Sequence, residues 1–387
     1  MKSVGARIFH PVFRPTLPDP AELIDEIRSI MASGRVTVGE RVDALEGDVC
    51  ARTGVKHAIA VSSGTSALML LIRALDLPHG SEVITPSFTF AATAHALLWN
   101  CLKPVFCDSE PDSFTMDASA AETLVTERTS AIYPVCIFGV PGDLDSYERL
   151  AEKRGLALLY DTAQGLGGTY RGKPLGNFGA GEAFSMSPTK VVTAMEGGLI
   201  TTNDGDLADR LRSTRDYGKA PDGEDMRHLG LSARMGEVNA AVARWSLARL
   251  DTWIANRTAL VECYHERLAD ISGITFQQIP SCCTSSRNYT VILIHPEESP
   301  LSRNELHLRL KQRRIQTKRC FYPALHNQTL YRSLEPGCPA RLPVAERISA
   351  RSLALPLYSH MSRAAVHEIR DQIAECFDRA DRRRLAV

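Results

Sequence analysis

The sequence predicts an α/β fold in which helices cover a mostly parallel central sheet, followed by a smaller α+β domain. Between residues 55 and 205, short apolar runs alternate with helical patterns, as expected for strands buried on both faces. A long helical pattern begins at Glu237, and the texture of the sequence changes after it. The length of 387 residues also exceeds what one simple core usually holds. Two domains are therefore expected.

The first domain is expected to contain seven short strands in alternation with helices. The predicted strands are residues 58–61, 82–85, 104–107, 131–137, 156–160, 183–186 and 199–202. The predicted helices are residues 65–74, 91–98, one from about residue 117, and 144–153. Asp117 is suited to cap the third of these helices, since a carboxylate there can accept backbone N–H groups. This alternation predicts the parallel sheet.

The second domain is expected to follow one long helix. The helical pattern runs from Glu237 through Trp245, Leu250 and Trp253 towards Leu268. A strand at residues 291–294, a helix at 303–311 and a polar terminal helix at 364–380 come after it. We therefore expect a large domain over residues 1–250, which includes the N-terminal segment, and a small domain over 251–387.

Composition excludes several classes of function. The formal net charge is zero, with 44% hydrophobic and 23% charged residues, so neither nucleic acid nor an anionic membrane is an expected partner. The opening MKSVGARIFHPVF lacks the apolar run of a signal peptide, and no later run is long enough to span a bilayer. The ten cysteines lie mostly in apolar runs without a Cys-x-x-Cys pair. A reduced cytoplasmic protein without a structural metal is expected.

Polar residues follow several predicted strands directly. Residues 62–66 follow the first strand, residues 86–90 end the second, and Asp161 ends another. Ligands of open parallel sheets bind at the carboxyl ends of the strands. These residues are therefore expected to meet in one cleft.

The turn Ser62-Ser-Gly-Thr-Ser66 could hold a phosphate. Gly64 would let the backbone approach a ligand, while Thr65, Ser66 and the first helical N–H groups could donate to its oxygens. A plain N-cap explains the same residues, and taken alone it is the better interpretation.

Asp161 and Lys190 are the candidate catalytic residues. Asp161 follows an apolar run, so its carboxylate needs a partner. A helix cap or ion pair would suffice, whereas a functional partner would be the protonated nitrogen of a pyridine cofactor. Lys190 ends Ser185-Met-Ser-Pro-Thr-Lys190 beside two valines. An apolar setting lowers a lysine pKa and produces a nucleophilic amine, although most such lysines are ordinary loop residues.

The combined motifs resemble the DegT/DnrJ/EryC1/StrS family of sugar aminotransferases from about residue 33 to 360. This family has the fold-type I architecture of pyridoxal-phosphate (PLP) enzymes. The motifs that carry the resemblance are Ser63-Gly-Thr-Ser-Ala67, Pro86-Ser-Phe-Thr-Phe90, Asp161-Thr-Ala-Gln164, Phe184-Ser-Met-Ser-Pro-Thr-Lys190, Glu196-Gly-Gly198, Arg234-Met235, Tyr322-Pro-Ala-Leu-His326, Pro343-Val-Ala-Glu346 and Leu355-Pro356.

The resemblance implies a role for each matching residue. Lys190 would carry PLP as a Schiff base, and Asp161 would pair with its pyridine nitrogen. Gln164 would contact the phenolic oxygen and Phe90 would stack on the ring. The phosphate would be held by hydroxyls of Thr65, Ser66 and Ser185. His326 is a looser substrate candidate, and as a lone histidine it is equally well explained as a structural residue.

The chain departs from the family pattern at one position. Many members carry an Asn that reaches the phosphate of the neighbouring subunit in a homodimer. This sequence reads Gly230-Leu-Ser-Ala-Arg-Met235, which places Ser232 there. A shorter hydroxyl puts that contact in doubt, whereas the implied homodimer, with active sites at its interface, depends on much more surface.

The implied reaction moves an amino group from an amino acid, glutamate or glutamine, to a nucleotide-linked keto sugar, for an antibiotic or a surface polysaccharide. Arg287, Lys318 and Arg319 are candidates for contacts with a diphosphate. A keto-cyclitol acceptor is the alternative within the same chemistry. A sugar dehydratase is another alternative, although such relatives have a His where Lys190 stands. A PLP-binding regulatory protein without turnover is the third.

Overall fold

The computed structural model describes residues 9–334 and 341–384, with side chains described to residue 380. Residues 1–8 lie outside the described residues, so most of the N-terminal stretch that was predicted not to be a signal peptide is not described. The first residues of the predicted domain 1–250 and the last residues of the predicted domain 251–387 therefore also lie outside the described residues. No described helix is both long and apolar enough to cross a membrane.

Seven strands of the described chain form the central sheet, which is mostly parallel as predicted. They are β1 His57–Val61, β2 Glu82–Pro86, β3 Lys103–Cys107, β4 Thr129–Ile132, β5 Ala157–Asp161, β8 Gly181–Ser185 and β9 Gly198–Thr202. Two short strands that are not part of this sheet, β6 Thr169–Tyr170 and β7 Lys173–Pro174, lie between β5 and β8 in the chain. The order across the sheet is β1-β9-β8-β5-β4-β2-β3. Strand β9 alone runs antiparallel to its neighbours β1 and β8.

Helices before, between and after these strands cover the sheet. They are α1 Pro20–Ser33, α2 Glu40–Thr53, α3 Gly64–Ala74, α4 Ala91–Trp99, α5 Ala118–Thr123, α6 Leu144–Arg154, α7 Gly205–Thr214 and α8 Glu237–Leu247. Asp117 caps α5 as predicted, since its carboxylate accepts the N–H groups of Ser119 and Ala120. The apolar residues of the strands are buried on both faces, in separate clusters.

The predicted strand at residues 131–137 was too long. It ends at Ile132, and Tyr133 still donates its N–H to the Ile84 carbonyl at 2.7 Å. The next residue, Pro134, has no N–H to continue the ladder, and the chain then turns through Phe138, whose φ is 57°. Val135 still forms an isolated parallel bridge with Asp161, so the segment remains beside β5 without continuing as a regular strand.

The predicted long helix was wrong as a single element, because it is two helices. Helix α8 ends at Leu247 and α9 spans Leu250–Leu268. In a continuous helix the Arg249 N–H would donate to the Trp245 carbonyl. At the break, the Arg249 guanidinium donates to that carbonyl instead, at 3.0 Å. That N–H instead donates to the Ser246 carbonyl at 3.1 Å. The apolar periodicity continues across the break, which hides it from a sequence pattern.

The remaining elements form a smaller α+β unit. Its antiparallel sheet, ordered β10-β12-β13, consists of Ile274–Phe276, Thr290–Ile294 and Ser352–Leu355. Helices α9, α10 Arg303–Gln312 and α13 Arg363–Arg384 pack on it around a separate apolar core; the short helices α11 Thr329–Arg332 and α12 Pro343–Arg351 lie nearby. The short strand β11, Cys283–Thr284, returns to pair with β6. The division at residue 250 therefore stays a prediction.

Candidate active site

A cavity of about 290 Å³ lies at the carboxyl ends of β1, β5 and β8, where the small unit faces the large sheet. Eight of the candidate residues line it: Gly64, Thr65, Phe90, Asp161, Gln164, Ser185, Lys190 and Lys318. The convergence expected from the sequence is therefore present. The individual roles remain predictions, since geometry alone does not assign them.

The start of α3 forms one end of the cavity. Ser63 caps this helix by accepting the Ser66 N–H at 3.0 Å, as the plain N-cap interpretation predicts. The Ser66 hydroxyl is held by Ser63 at 2.8 Å and Ser62 at 3.1 Å and does not line the cavity. A Cβ atom at Gly64 would lie 2.6 Å from the Ser185 Cβ. Glycine therefore lets the Ser185 hydroxyl and the helix start face the same space, which suits an anion.

Asp161 is buried at the end of β5 with an incomplete set of partners. Its Oδ2 accepts the Thr93 hydroxyl at 2.7 Å, and its Oδ1 accepts the Ala163 N–H at 3.1 Å. Burial raises the pKa of Asp161, whereas these two hydrogen bonds and the charge of Lys190 oppose the rise. A carboxylate so placed gains most from a cationic group that enters the cavity.

Lys190 follows β8 and brings an amine into the same cavity. Burial lowers the pKa of Lys190 to about 8, Asp161 opposes this change, and the positive charge of Lys318 adds to it. The amine therefore loses its proton at a lower pH than an ordinary lysine does. The unprotonated state is the one in which an amine attacks a carbonyl or accepts a proton.

Phe90 and Gln164 complete the flat walls of the cavity. The Phe90 ring is 59% exposed, so one of its faces is open to a ligand. The Gln164 Oε1 accepts the Phe138 N–H at 3.1 Å, which leaves its amide Nε2 free to donate into the cavity. Both positions suit a flat heterocycle that carries a hydrogen-bond acceptor.

Five candidate residues lie elsewhere. Ser232 is exposed and pairs with Asp216. His326 is buried between Ser87, at 2.6 Å, and Glu346, at 3.0 Å, which is a structural arrangement. The remaining ones are Ser66, Arg319, which is exposed, and Arg287, which lines a separate small cavity.

Sequence reasoning missed several residues that line or support the site. Tyr289 and Phe321 contribute aromatic walls from the small unit, and Glu196 lies at the cavity edge. Thr93, one turn into α4, orients Asp161. Thr93 could have been suspected from its place beside residues 86–90. No sequence spacing links the aromatic pair to the sheet.

The cavity has groups that fit each part of PLP. The start of α3 with Ser185 suits a phosphate, buried Asp161 suits a pyridine nitrogen, and the amine of Lys190 suits an aldehyde. By contrast, the described residues contain no cluster of three or more His, Cys, Asp or Glu side chains that could hold a metal ion. The residues present fit the phosphate, the pyridine nitrogen and the aldehyde of PLP.

Comparison with known proteins gives the same assignment. The model of the DegT/DnrJ/EryC1/StrS aminotransferase family matches residues 19–374. A pleiotropic regulatory protein of Geobacillus stearothermophilus is 32% identical over 366 residues, which cover 93% of this chain and 95% of that protein. The dTDP-3-amino-3,4,6-trideoxy-alpha-D-glucose transaminase of Micromonospora megalomicea subsp. nigra is 32% identical over 359 residues, 92% of this chain and 93% of that enzyme.

A solved structure confirms the expected fold. The crystal structure of DesI in the presence of its TDP-sugar product superimposes with a TM-score of 0.90 at 32% identity, and covers 98% of this chain and 96% of that one. The family match extends over nearly the whole chain and both units. The chain therefore belongs to the DegT/DnrJ/EryC1/StrS aminotransferase family and is a PLP-dependent aminotransferase.

Proposed function

We propose that this enzyme transfers the amino group of glutamate or glutamine to a nucleotide-linked keto sugar, in amino-sugar biosynthesis for an antibiotic or a surface polysaccharide. The observation that carries the proposal is that Asp161 and Lys190 line one cavity, together with Ser185 and with Thr65 at the start of α3. The transaminase from Micromonospora, and the structure of DesI in the presence of its TDP-sugar product, support a sugar acceptor.

Different residues around the cavity would bind different parts of PLP. Asp161 would pair with the pyridine nitrogen, and Gln164 would donate to the phenolic oxygen. The hydroxyls of Thr65 and Ser185, with the first N–H groups of α3, would hold the phosphate. Phe90 would cover one face of the ring. When bound, PLP supplies an electron-withdrawing ring that stabilises negative charge on the donor α-carbon.

Lys190 performs the proton transfers in this proposal. Its Nζ would accept the proton from the donor α-carbon and, once protonated, would be the group that returns a proton, with the opposite order for the acceptor. Burial lowers the pKa of Lys190 to about 8 in the cofactor-free site, closer to neutral pH than an ordinary lysine, and such a value favours an amine that both accepts and returns a proton. Asp161 keeps the ring nitrogen protonated as negative charge develops.

We further propose a homodimer with active sites at its interface, which acts in the cytoplasm. Phe90 is 59% exposed although it lines the cavity, so a second subunit would be suited to cover this side. The nine cysteines in the described part of the chain are free thiols, as in a reducing compartment. Light scattering with active-site titration tests the dimer, since a fully active monomer would contradict it.

Spectroscopy tests the central proposal. Purified protein should be yellow, glutamate or glutamine should bleach the colour, and borohydride reduction should fix the cofactor on Lys190 in a peptide identified by mass spectrometry. Failure to fix it there would overturn the assignment of Lys190. Colour without a response to any amino acid would favour a PLP-binding regulatory protein.

A second experiment tests the acceptor. The aminated enzyme is mixed with nucleotide-linked keto sugars or with keto-cyclitols, and return of the yellow colour is followed in a single turnover. We expect return with a nucleotide-linked keto sugar. Return with a keto-cyclitol alone would replace the proposed acceptor, and loss of water from the sugar without transfer of nitrogen would indicate a dehydratase.

A further inference from the structure

Lys318 is a cation in the cavity wall that forms no ion pair with an acidic side chain in the described part of the chain. Lys190 and Lys318 are the cationic residues among the described side chains that line the cavity, whereas Asp161 and Glu196 are the acidic ones. Asp161 is close enough to Lys190 to influence its pKa, and Lys318 forms no ion pair with any described carboxylate. Its ammonium group is therefore available to an anion that enters the cavity.

The position of Lys318 is fixed by the small sheet. Its N–H donates to the Ala354 carbonyl at 3.1 Å, and its own carbonyl accepts the Ala354 N–H at 2.8 Å. This reciprocal pair attaches Lys318 to β13. The Lys318 Nζ lies 5.8 Å from the centroid of the Tyr289 ring, which is a further contact that directs the side chain. A cation held in this way is suited to ligand binding.

Lys318 and Lys190 face the same space with like charges. The charge of Lys318 lowers the pKa of Lys190, which shows that the two ammonium groups lie within electrostatic reach. An anion between them would be attracted by both. The phosphate cradle, by contrast, belongs to the large sheet at α3 and Ser185, so it leaves the Lys318 side of the cavity for a different anionic group.

We infer that Lys318 binds the α-carboxylate of the amino-acid donor. This inference rests on the proposed function and assigns the donor-binding group within the same site. The α-carboxylate is bonded directly to the carbon whose proton Lys190 removes, so a cation that shares the cavity with Lys190 lies within its reach. A nucleotide diphosphate is separated from the reacting carbon by the sugar ring and belongs further out.

The test measures donor binding without turnover. The PLP-loaded enzyme is titrated with 2-methylglutamate, which has no α-hydrogen, and the absorbance change gives the dissociation constant. Lys318→Gln should weaken binding about 10- to 100-fold, the range expected for a charge-assisted hydrogen bond. Lys318→Arg should retain most of the affinity. Arg319→Gln, at an exposed neighbour that lies outside the cavity, is the matched control and should change it less than about twofold.

Two comparisons identify the bound group. Single turnovers with glutamate and with glutamine should slow equally in Lys318→Gln, because both donors have an α-carboxylate. A defect confined to glutamate would assign Lys318 to the side-chain carboxylate, and a defect confined to the sugar acceptor would assign it to the diphosphate. Loss of PLP would assign it to the cofactor phosphate. Each of these results, or unchanged donor binding, would overturn the inference.

The wild-type protein separates this inference from the proposed function. If it binds PLP but responds to no donor, the proposed function falls and the inference falls with it. If it responds normally and Lys318→Gln binds 2-methylglutamate as tightly, the inference alone is wrong. Lys318→Gln should also raise the pKa of Lys190, because it removes a repelling charge. Amine labelling of cofactor-free protein measures that change.

Discussion

The two walls of the active-site cavity differ in origin. The large-sheet wall presents Asp161, Lys190 and the start of α3, each at the carboxyl end of a strand. The small-unit wall presents Tyr289, Lys318 and Phe321, which are placed by the packing of a separate antiparallel sheet. The difference teaches that the groups proposed to act on the cofactor lie on the parallel sheet, whereas the cation proposed to bind the amino-acid donor approaches from the other unit.

The largest expected effect comes from the large-sheet wall. Lys190→Ala should lower single-turnover amino transfer from glutamate by at least about 10³-fold, because it removes the proton-transferring amine. Lys56→Ala, at an exposed lysine outside the cavity, is the control and should leave the rate unchanged. A loss below about tenfold would show that another group transfers the proton. It would contradict the view that the large-sheet wall provides the groups that act on the cofactor.

A pair of buried carboxylates provides the second prediction. Asp161→Asn should slow transfer by about 10²- to 10³-fold, the range for loss of one preorganised electrostatic partner. Glu182, on the neighbouring strand, accepts hydrogen bonds from Thr162, Gly176 and Phe178 and does not line the cavity. Glu182→Gln should instead lower the free energy of unfolding by about 1–3 kcal/mol and leave transfer intact. Equal kinetic losses in the two variants would contradict the role of Asp161.

The third prediction concerns the pH dependence of cofactor-free protein. An ordinary lysine titrates near pH 10.4, whereas burial lowers the pKa of Lys190 to about 8. Between these values Lys190 of the folded protein has released a proton that the unfolded chain still binds, so the contribution of Lys190 to stability should rise with pH from about 8 to about 10.4. Competitive acetylation followed by mass spectrometry should give a midpoint near 8 for Lys190. A midpoint at or above 10 would contradict the proposed environment.

The smallest expected effect lies beside the small-unit wall. His326→Gln should reduce the free energy of unfolding by about 1–2 kcal/mol, because the buried ring bonds Ser87 and Glu346. Donor affinity should stay within about twofold, because the ring does not line the cavity. Denaturant unfolding and donor titration measure the two quantities. A tenfold loss of donor affinity with an unchanged free energy of unfolding would indicate instead that His326 binds the substrate.

The positions that could be predicted from sequence share one property: each lies within a few residues of a strand end. Asp161 and residues 62–66 follow apolar runs directly, so the periodicity of the chain is enough to place them at one edge of the sheet. The family resemblance then supplies their proposed chemistry. The same reasoning failed for His326 as a cavity residue, because a motif match does not show which way a ring faces.

The sequence pattern also does not predict a helix break or a strand direction when the apolar periodicity is the same with or without it. At the break between α8 and α9, the Arg249 guanidinium donates to the Trp245 carbonyl, while the Arg249 N–H donates to Ser246. The antiparallel direction of β9 depends on its partners β1 and β8. Both features arise from contacts that no single apolar run contains.

The sequence by itself determined the α/β class, the family and the residues at the carboxyl ends of the strands, because alternation and short motifs are local properties. Only the tertiary structure decided that Thr93 supports Asp161, that Ser66 is occupied by neighbouring hydroxyls, and that Lys318 rather than Arg319 faces Lys190. Adjacent residues on an extended segment point to opposite sides. The side that faces the cavity is set by the packing of the two units against each other.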